Sequence, residues 1–172
     1  KQKFYDIPSG LDPHSPKTGN TNHGTINNVV IFIRFSDESE ITTSFSDIDA
    51  MFNDSSANAT SMYNYFRHAS YKQISIPTYF YPEPSGDNVI SYQDIYSRSY
   101  YMPYDAMTNT NGYQDDSERA TREFDLIERA VNYVQLNSNI PTTLNLDYDN
   151  DGLVDNICFV VKGTYTGWSD LL

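Results

Sequence analysis

The first clear signal along the chain is Val29-Val30-Ile31-Phe32-Ile33, an unbroken apolar run between polar flanks. A short, β-branched run of this kind predicts a strand buried on both faces. Residues 36–46 are polar and acidic and read as a loop, followed by a short helical turn over 47–53. Over 58–70, Met62, Tyr65, Phe66 and Ala69 recur at three- and four-residue steps, which predicts a helix with one buried face. Ile74-Ser75-Ile76 and Thr78-Tyr79-Phe80-Tyr81 predict a strand. Pro77 interrupts it and lacks a backbone donor, so that strand is an edge or bends there. Residues 82–116 hold turn sequences and many aromatics, a long loop region of the kind that carries function.

The clearest helix spans 118–136, with Phe124, Ile127, Val131 and Val134 on one stripe. Asp115 and Ser117 are placed to cap its start, and Asn137-Ser138-Asn139 with Pro141 ends it. Ile157-Cys158-Phe159-Val160-Val161 predicts a second buried strand. Two apolar strands with an amphipathic helix between them imply an α/β or α+β sheet protein; the expected class is α+β, a twisted mixed sheet with packed helices. Residues 1–27, rich in Gly, Pro, Asn, Thr and His with turns at Pro8-Ser9-Gly10 and near Gly24, read as an irregular lead-in. Trp168-Ser169-Asp170-Leu171-Leu172 brings an apolar pair to the last positions, from which the fold is expected to continue further.

Composition narrows the function. Aromatic residues make up 15 % of the 172, which separates the chain from disordered sequences. There are 23 acidic against 11 basic residues, a net charge of −12. No basic footprint exists to neutralise phosphates or dock on anionic lipid, which argues against nucleic-acid and membrane partners. No apolar run approaches the roughly 20 residues that span a bilayer. A single cysteine, Cys158, excludes an internal disulfide and any multi-cysteine zinc site. Its apolar neighbours make it a small core residue rather than a nucleophile. The chain opens at Lys1 in polar sequence, which fits a cytosolic protein or a mature form whose signal has been removed. The surface, rich in Tyr, Asn, Asp and Ser, points to an exported bacterial protein.

The strongest chemical signal is Asp147-Tyr148-Asp149-Asn150-Asp151-Gly152-Leu153-Val154-Asp155. Carboxylates fall at loop positions 1, 3, 5 and 9, with glycine at 6. A hard cation needs several oxygens converging on one point; alternating side chains on a tight loop supply them, and glycine permits the turn. The Leu153 carbonyl adds a backbone ligand. Position 12 is Cys158 inside an apolar run, so this is not an EF-hand, and Asp155 closes the loop instead. The expected ligands are Asp147, Asp149, Asp151, Leu153 and Asp155, and the expected ion is Ca²⁺. The plain alternative is a solvated acidic turn, but uncompensated carboxylates this close repel one another. The remaining candidates are weaker. His14, His23 and His68 make no zinc-binding i, i+4 pair. Asp37, Glu38 and Glu40 read as a solvated loop, with a second cation as the alternative. The tyrosines of 92–104 pack as a loop clamp or line a sugar or peptide groove.

Several of these segments, in order, resemble one family. Val29-Val30-Ile31-Phe32-Ile33-Arg34-Phe35-Ser36-Asp37 resembles its first core strand and acidic turn. Residues 61–71, Ser-Met-Tyr-Asn-Tyr-Phe-Arg-His-Ala-Ser-Tyr, resemble its S-x-x-x-Y-F-x-x-x-S-Y element. Asp147 to Asp155 running into Asn156-Ile157-Cys158-Phe159-Val160-Val161-Lys162-Gly163 is similar to its calcium loop and next core strand. Gly167-Trp168-Ser169-Asp170 is similar to the segment beyond that strand. The family is that of secreted bacterial zinc metalloendopeptidases of the immune inhibitor A type, and the likeness spans about 28–172. It implies a zincin-like N-terminal subdomain, calcium at Asp147, Asp149, Asp151, Leu153 and Asp155, and a protein or peptide substrate whose extended chain pairs with an edge strand; 74–81 is the candidate. It also implies a further ion near Asp37.

The family's zinc is held by an H-E-x-x-H helix, absent from these 172 residues. The resemblance therefore implies that 28–172 is the N-terminal part of a catalytic domain. Zn²⁺ belongs only to the complete enzyme, no catalytic residue falls in this chain, and the missing C-terminal half is its necessary partner. The chain alone is expected to be inactive and the whole enzyme secreted or at the cell surface. A different class remains open, an exported calcium-dependent binding module for glycan or protein, as does a structural domain in which calcium only stiffens a loop.

Overall fold

A computed structural model describes residues 23–163. Most of the lead-in, including His14, and the segment from Gly167 to Leu172 lie outside the described residues. The chain is mixed α and β, with strands β1 (Gly24–Thr25), β2 (Asn28–Arg34), β3 (Ile74–Ser75), β4 (Thr78–Tyr81), β5 (Tyr92–Gln93) and β6 (Ile157–Val161), and helices α1 (Phe45–Asn53), α2 (Met62–Ala69) and α3 (Asp116–Asn137). β1 and β3 form a small parallel sheet, and β4, β2 and β5 are successive neighbours in the larger one, with β6 also on β2. β5 runs parallel to β2, Ile33 opposite Tyr92. β6 does so too: the Val29 N–H donates to the Asn156 carbonyl at 3.2 Å and the Lys162 N–H to that of Ile33 at 2.8 Å.

The chain divides into two compact units. The first comprises the described part of 1–30, 45–79 and 140–158; the second comprises 31–44, 80–139 and the described part of 159–172.

In the first unit the predicted turn over 47–53 is a nine-residue helix, α1, which packs on α2. Ser61 caps α2 by accepting from the Asn64 N–H at 3.0 Å. The expected apolar face of α2 is corrected: Tyr65 and Ala69 are exposed, and the residue turned inward is Asn64. Its amide donates to the carbonyls of Ser56 and Ala59, and satisfying that loop fixes the rotation of the helix. Pro77 does break the predicted strand, into β3 and β4, which belong to different sheets. Asn53, at the end of α1, clips β4: its Oδ1 accepts from the Thr78 N–H at 2.8 Å and its Nδ2 donates to the Thr78 carbonyl at 3.0 Å. Asn53→Ala strands both backbone groups and is expected to lower stability by about 1–3 kcal/mol, measured by urea unfolding.

In the second unit, Ile31, Phe32 and Ile33 are fully buried as the apolar run requires, and Phe32 stacks on Phe80 at 5.8 Å. α3 buries Leu126, Ala130, Val131 and Val134. Phe124, expected on that stripe, is exposed; the inward face runs through Leu126 and Ala130 instead. Of the two candidate caps Asp115 is the one used, accepting from the Glu118 N–H at 2.8 Å, while Ser117 lies within the helix. The 82–116 region holds β5 and a 3₁₀ turn at Arg98–Tyr101. One further expectation is corrected: β6 is half-buried along its whole length, because among the described residues it has a strand neighbour on the β2 side only.

Candidate metal centre

Residues 147–155 all belong to the first unit. Two left-handed residues wind the loop, Asn150 at φ 58° and Gly152 at φ 89°. Asparagine and glycine are the residues that adopt this conformation at least cost. The turn brings the carboxylates of Asp147, Asp149 and Asp151 together, one oxygen of each lying within 4.8 Å of the others. Among the described residues this is the one grouping of acidic, histidine or cysteine side chains with metal-site spacing.

Backbone donors hold these carboxylates in place. Asp147 accepts from the Asp151 N–H at 3.0 Å and, through its other oxygen, from the Gly152 N–H at 2.8 Å. Asp149 accepts from the Asp151 N–H at 3.3 Å, and Asp151 from the Leu153 N–H at 2.9 Å. A carboxylate offers about four lone-pair sites, and these bonds orient the groups on the turn. Asp155 stands outside the cluster of three and closes the loop: its carboxylate accepts from the Tyr148 N–H, and its own N–H donates to the Leu146 carbonyl at 2.9 Å. Leu153 is half-buried, with its N–H turned to Asp151.

The loop is also latched from outside, a feature the sequence pattern did not signal. The Tyr148 hydroxyl donates to the His23 carbonyl at 2.7 Å, and the Asn27 amide donates to the Asn145 carbonyl at 2.6 Å. Gly24, at φ 116°, passes so close that a Cβ there would lie 3.0 Å from the Tyr148 oxygen. Three carboxylate oxygens within 4.8 Å of one another, on a loop pinned from outside, form a grouping that could hold a metal ion.

The other sequence candidates have internal roles. Asp37 accepts from the Arg98 N–H at 3.1 Å, and Glu38 pairs with the Arg98 guanidinium. Glu40 accepts from the Ser91 hydroxyl at 2.6 Å and lies 3.4 Å from Arg34. Burial works to raise the Glu40 pKa, but the Ser91 and Ile41 hydrogen bonds and Arg34 together hold it below the ordinary carboxylate value. Cys158 is half-buried, and burial pushes its thiol up, away from nucleophilic use. His23 and His68 are exposed and join no ligand cluster among the described residues.

The tyrosines of 92–104 are largely spent within the second unit. Tyr92 and Tyr101 bond the buried Asp94, and Tyr96 stacks on Tyr100 at 4.0 Å. Arg129 sits over Tyr96 and Arg122 over Tyr100. The chain matches no protein-family model, no curated protein and no solved structure.

Proposed function

We propose that residues 147–155 bind one calcium ion and that the chain is the N-terminal, zincin-like part of the catalytic domain of a secreted zinc metalloendopeptidase of the immune inhibitor A type. The observation that carries the calcium reading is the convergence of Asp147, Asp149 and Asp151 on a loop turned by Asn150 and Gly152. Asp155 and the Leu153 carbonyl complete the proposed set. The peptidase reading rests on the order of the motifs around this loop, and the mixed α and β architecture is compatible with it. The sequence holds no H-E-x-x-H motif, so the zinc of the proposed enzyme would be held by residues outside these 172. No hydrolytic step is therefore assigned to this chain. The binding-module alternative needs an aromatic platform, and the tyrosines that suggested one are mostly turned to Asp94 and to each other.

Calorimetric titration of the chain with CaCl₂ is expected to show one site with a dissociation constant on the order of 10⁻⁵ to 10⁻³ M, and magnesium to bind more weakly. Asp149→Ala is expected to weaken binding by at least about tenfold, corresponding to one lost charged ligand. A flat titration would remove the calcium reading. For the peptidase, the complete reading frame is expected to encode H-E-x-x-H downstream, and its product to cleave casein until zinc is chelated. A frame without that motif, or cleavage by the pure 172-residue chain, would overturn it.

A further inference from the structure

The turn that leaves α2 spends the wrong residues on its backbone. Tyr71 and Lys72 have φ of 53° and 65°, and the Gln73 N–H donates to the Ser70 carbonyl at 3.1 Å. Two successive positive φ values closed by that bond are the signature of a type I′ turn, whose central positions belong to Asn, Asp and Gly. A bulky residue held left-handed carries a conformational cost, and such cost persists where something else repays it. Packing does not repay it here. Tyr71 is 88 % exposed, and the side chains of Tyr71 and Lys72 make no hydrogen bond, ion pair or ring contact among the described residues. The turn is nonetheless held firmly: the Arg67 guanidinium donates to the Lys72 carbonyl and, at 3.3 Å, to the Ser75 hydroxyl.

The surroundings indicate what the exposed side chains serve. Tyr65, 67 % exposed, and His68, also exposed, lie three residues apart on one face of α2, and the Tyr71 N–H bonds the His68 carbonyl. Among the described residues, Arg34, Arg98, Arg119, Arg122 and Arg129 each have a carboxylate within 4.0 Å, and the Lys162 ammonium bonds Ser39 and the Glu40 carbonyl. Arg67, Lys72 and Lys162 are the described cations left without a carboxylate; Lys162 is held by Ser39 and a backbone carbonyl, while Arg67 and Lys72 sit together at this turn, in a chain of net charge −12.

We infer that the turn Ser70 to Gln73, with Tyr65 and His68 beside it, docks an acidic segment of a partner polypeptide. An exposed tyrosine followed directly by an exposed lysine whose ammonium has no partner among the described residues is the chemistry of a protein-interface anchor, in which a carboxylate meets the cation and apolar flanks cover the ring. One lysine and one arginine are too few to track a phosphate backbone or an anionic bilayer, which need several cations each. This inference does not depend on the calcium loop or on the peptidase reading.

The test uses the 172-residue chain and a fluorescent octapeptide of alternating Glu and Leu, with Gln-Leu and Lys-Leu peptides as controls. The acidic peptide is expected to bind with a submillimolar dissociation constant at low salt, and to shift amide resonances within 65–75. Lys72→Glu is expected to weaken it at least about tenfold. The double variant Tyr71→Asn with Lys72→Gly supplies the residues the turn prefers. It is expected to raise the thermal midpoint by about 2–6 °C while losing the peptide. Equal binding of Glu and Gln peptides, shifts confined to other segments, or undiminished binding by the more stable double variant would each overturn the inference.

Discussion

Arg129→Met is expected to destabilise the protein by about 3–5 kcal/mol at pH 7, because it leaves a fully buried carboxylate without its cation. The Asp94 side chain has no exposed surface. It accepts from Arg129 Nε at 2.8 Å and Nη2 at 3.2 Å, from the Tyr92 hydroxyl at 2.9 Å and from the Tyr101 hydroxyl at 2.6 Å. Burial alone would raise the Asp94 pKa, but the guanidinium and the two hydroxyls more than offset it and hold the carboxyl below its ordinary value. The carboxylate in turn works with burial to push Tyr92 up to about 12, and Tyr101 higher still.

These shifts fix the sign of the pH dependence. A lowered Asp94 contributes stability that is present above the unfolded value near ~3.9 and lost as pH falls through the folded value. A raised Tyr92 contributes stability that is full below its unfolded value near ~10 and lost between there and about 12. Urea unfolding of the wild-type protein should therefore weaken below about pH 4 and again above about pH 10. Without Arg129 the sign on the acid side reverses. Asp94 then prefers its neutral form, and the variant should gain stability as pH falls from 7 toward 4. Adding Asp94→Asn to Arg129→Met should recover much of the loss, since a neutral group of the same shape needs no cation. A loss under about 1 kcal/mol for Arg129→Met, with unchanged pH dependence, would show that the network does not hold the unit together.

That network also shows where sequence reading reaches its limit. β2 was legible because six successive positions are buried, so no face had to be chosen. α3 was legible as a helix because 22 residues repeat a pattern many times over, yet its inward face was misjudged at Phe124. An aromatic ring weighs heavily in a periodicity argument, but the helix rotates to seat Arg129 on Asp94, a pairing 35 residues apart that no local pattern contains. α2 failed in the same way: its rotation is set by Asn64 serving two loop carbonyls. The gathering of Asp147, Asp149 and Asp151 was legible because the spacing of side chains along a tight turn is a local property of the backbone. The loop's latch to His23 and Asn27 was not, for it joins segments more than a hundred residues apart. Tyr71 and Lys72 ran against turn propensity, and a conformation that contradicts its own residues is invisible to a reading built on propensities.

The second large effect concerns calcium and heat. If the loop binds calcium as proposed, with a dissociation constant between about 10⁻⁵ and 10⁻³ M, raising free calcium to ~10 mM is expected to stabilise the folded state by about 1.4–4 kcal/mol through mass action alone. For a domain of this size that corresponds to a rise of roughly 3–15 °C in the thermal midpoint over the chelated protein. The gain should reach beyond the loop, because the loop is tied in on both sides. Tyr148 and Asn145 hold it to His23 and Asn27, and just past Asp155 the Asn156 carbonyl already accepts from the Val29 N–H in the buried strand. A cation between Asp147, Asp149 and Asp151 also removes the mutual repulsion of three carboxylates within 4.8 Å in a chain of net charge −12. Asp147→Asn should abolish most of the calcium-dependent shift. It should lower the calcium-free midpoint only slightly, because an amide oxygen can still accept from the backbone N–H of Asp151 or Gly152. Scanning calorimetry of the two proteins in EGTA and in calcium separates the ion from the hydrogen bonds. If wild type and variant melt together under both conditions, the carboxylates serve the turn alone.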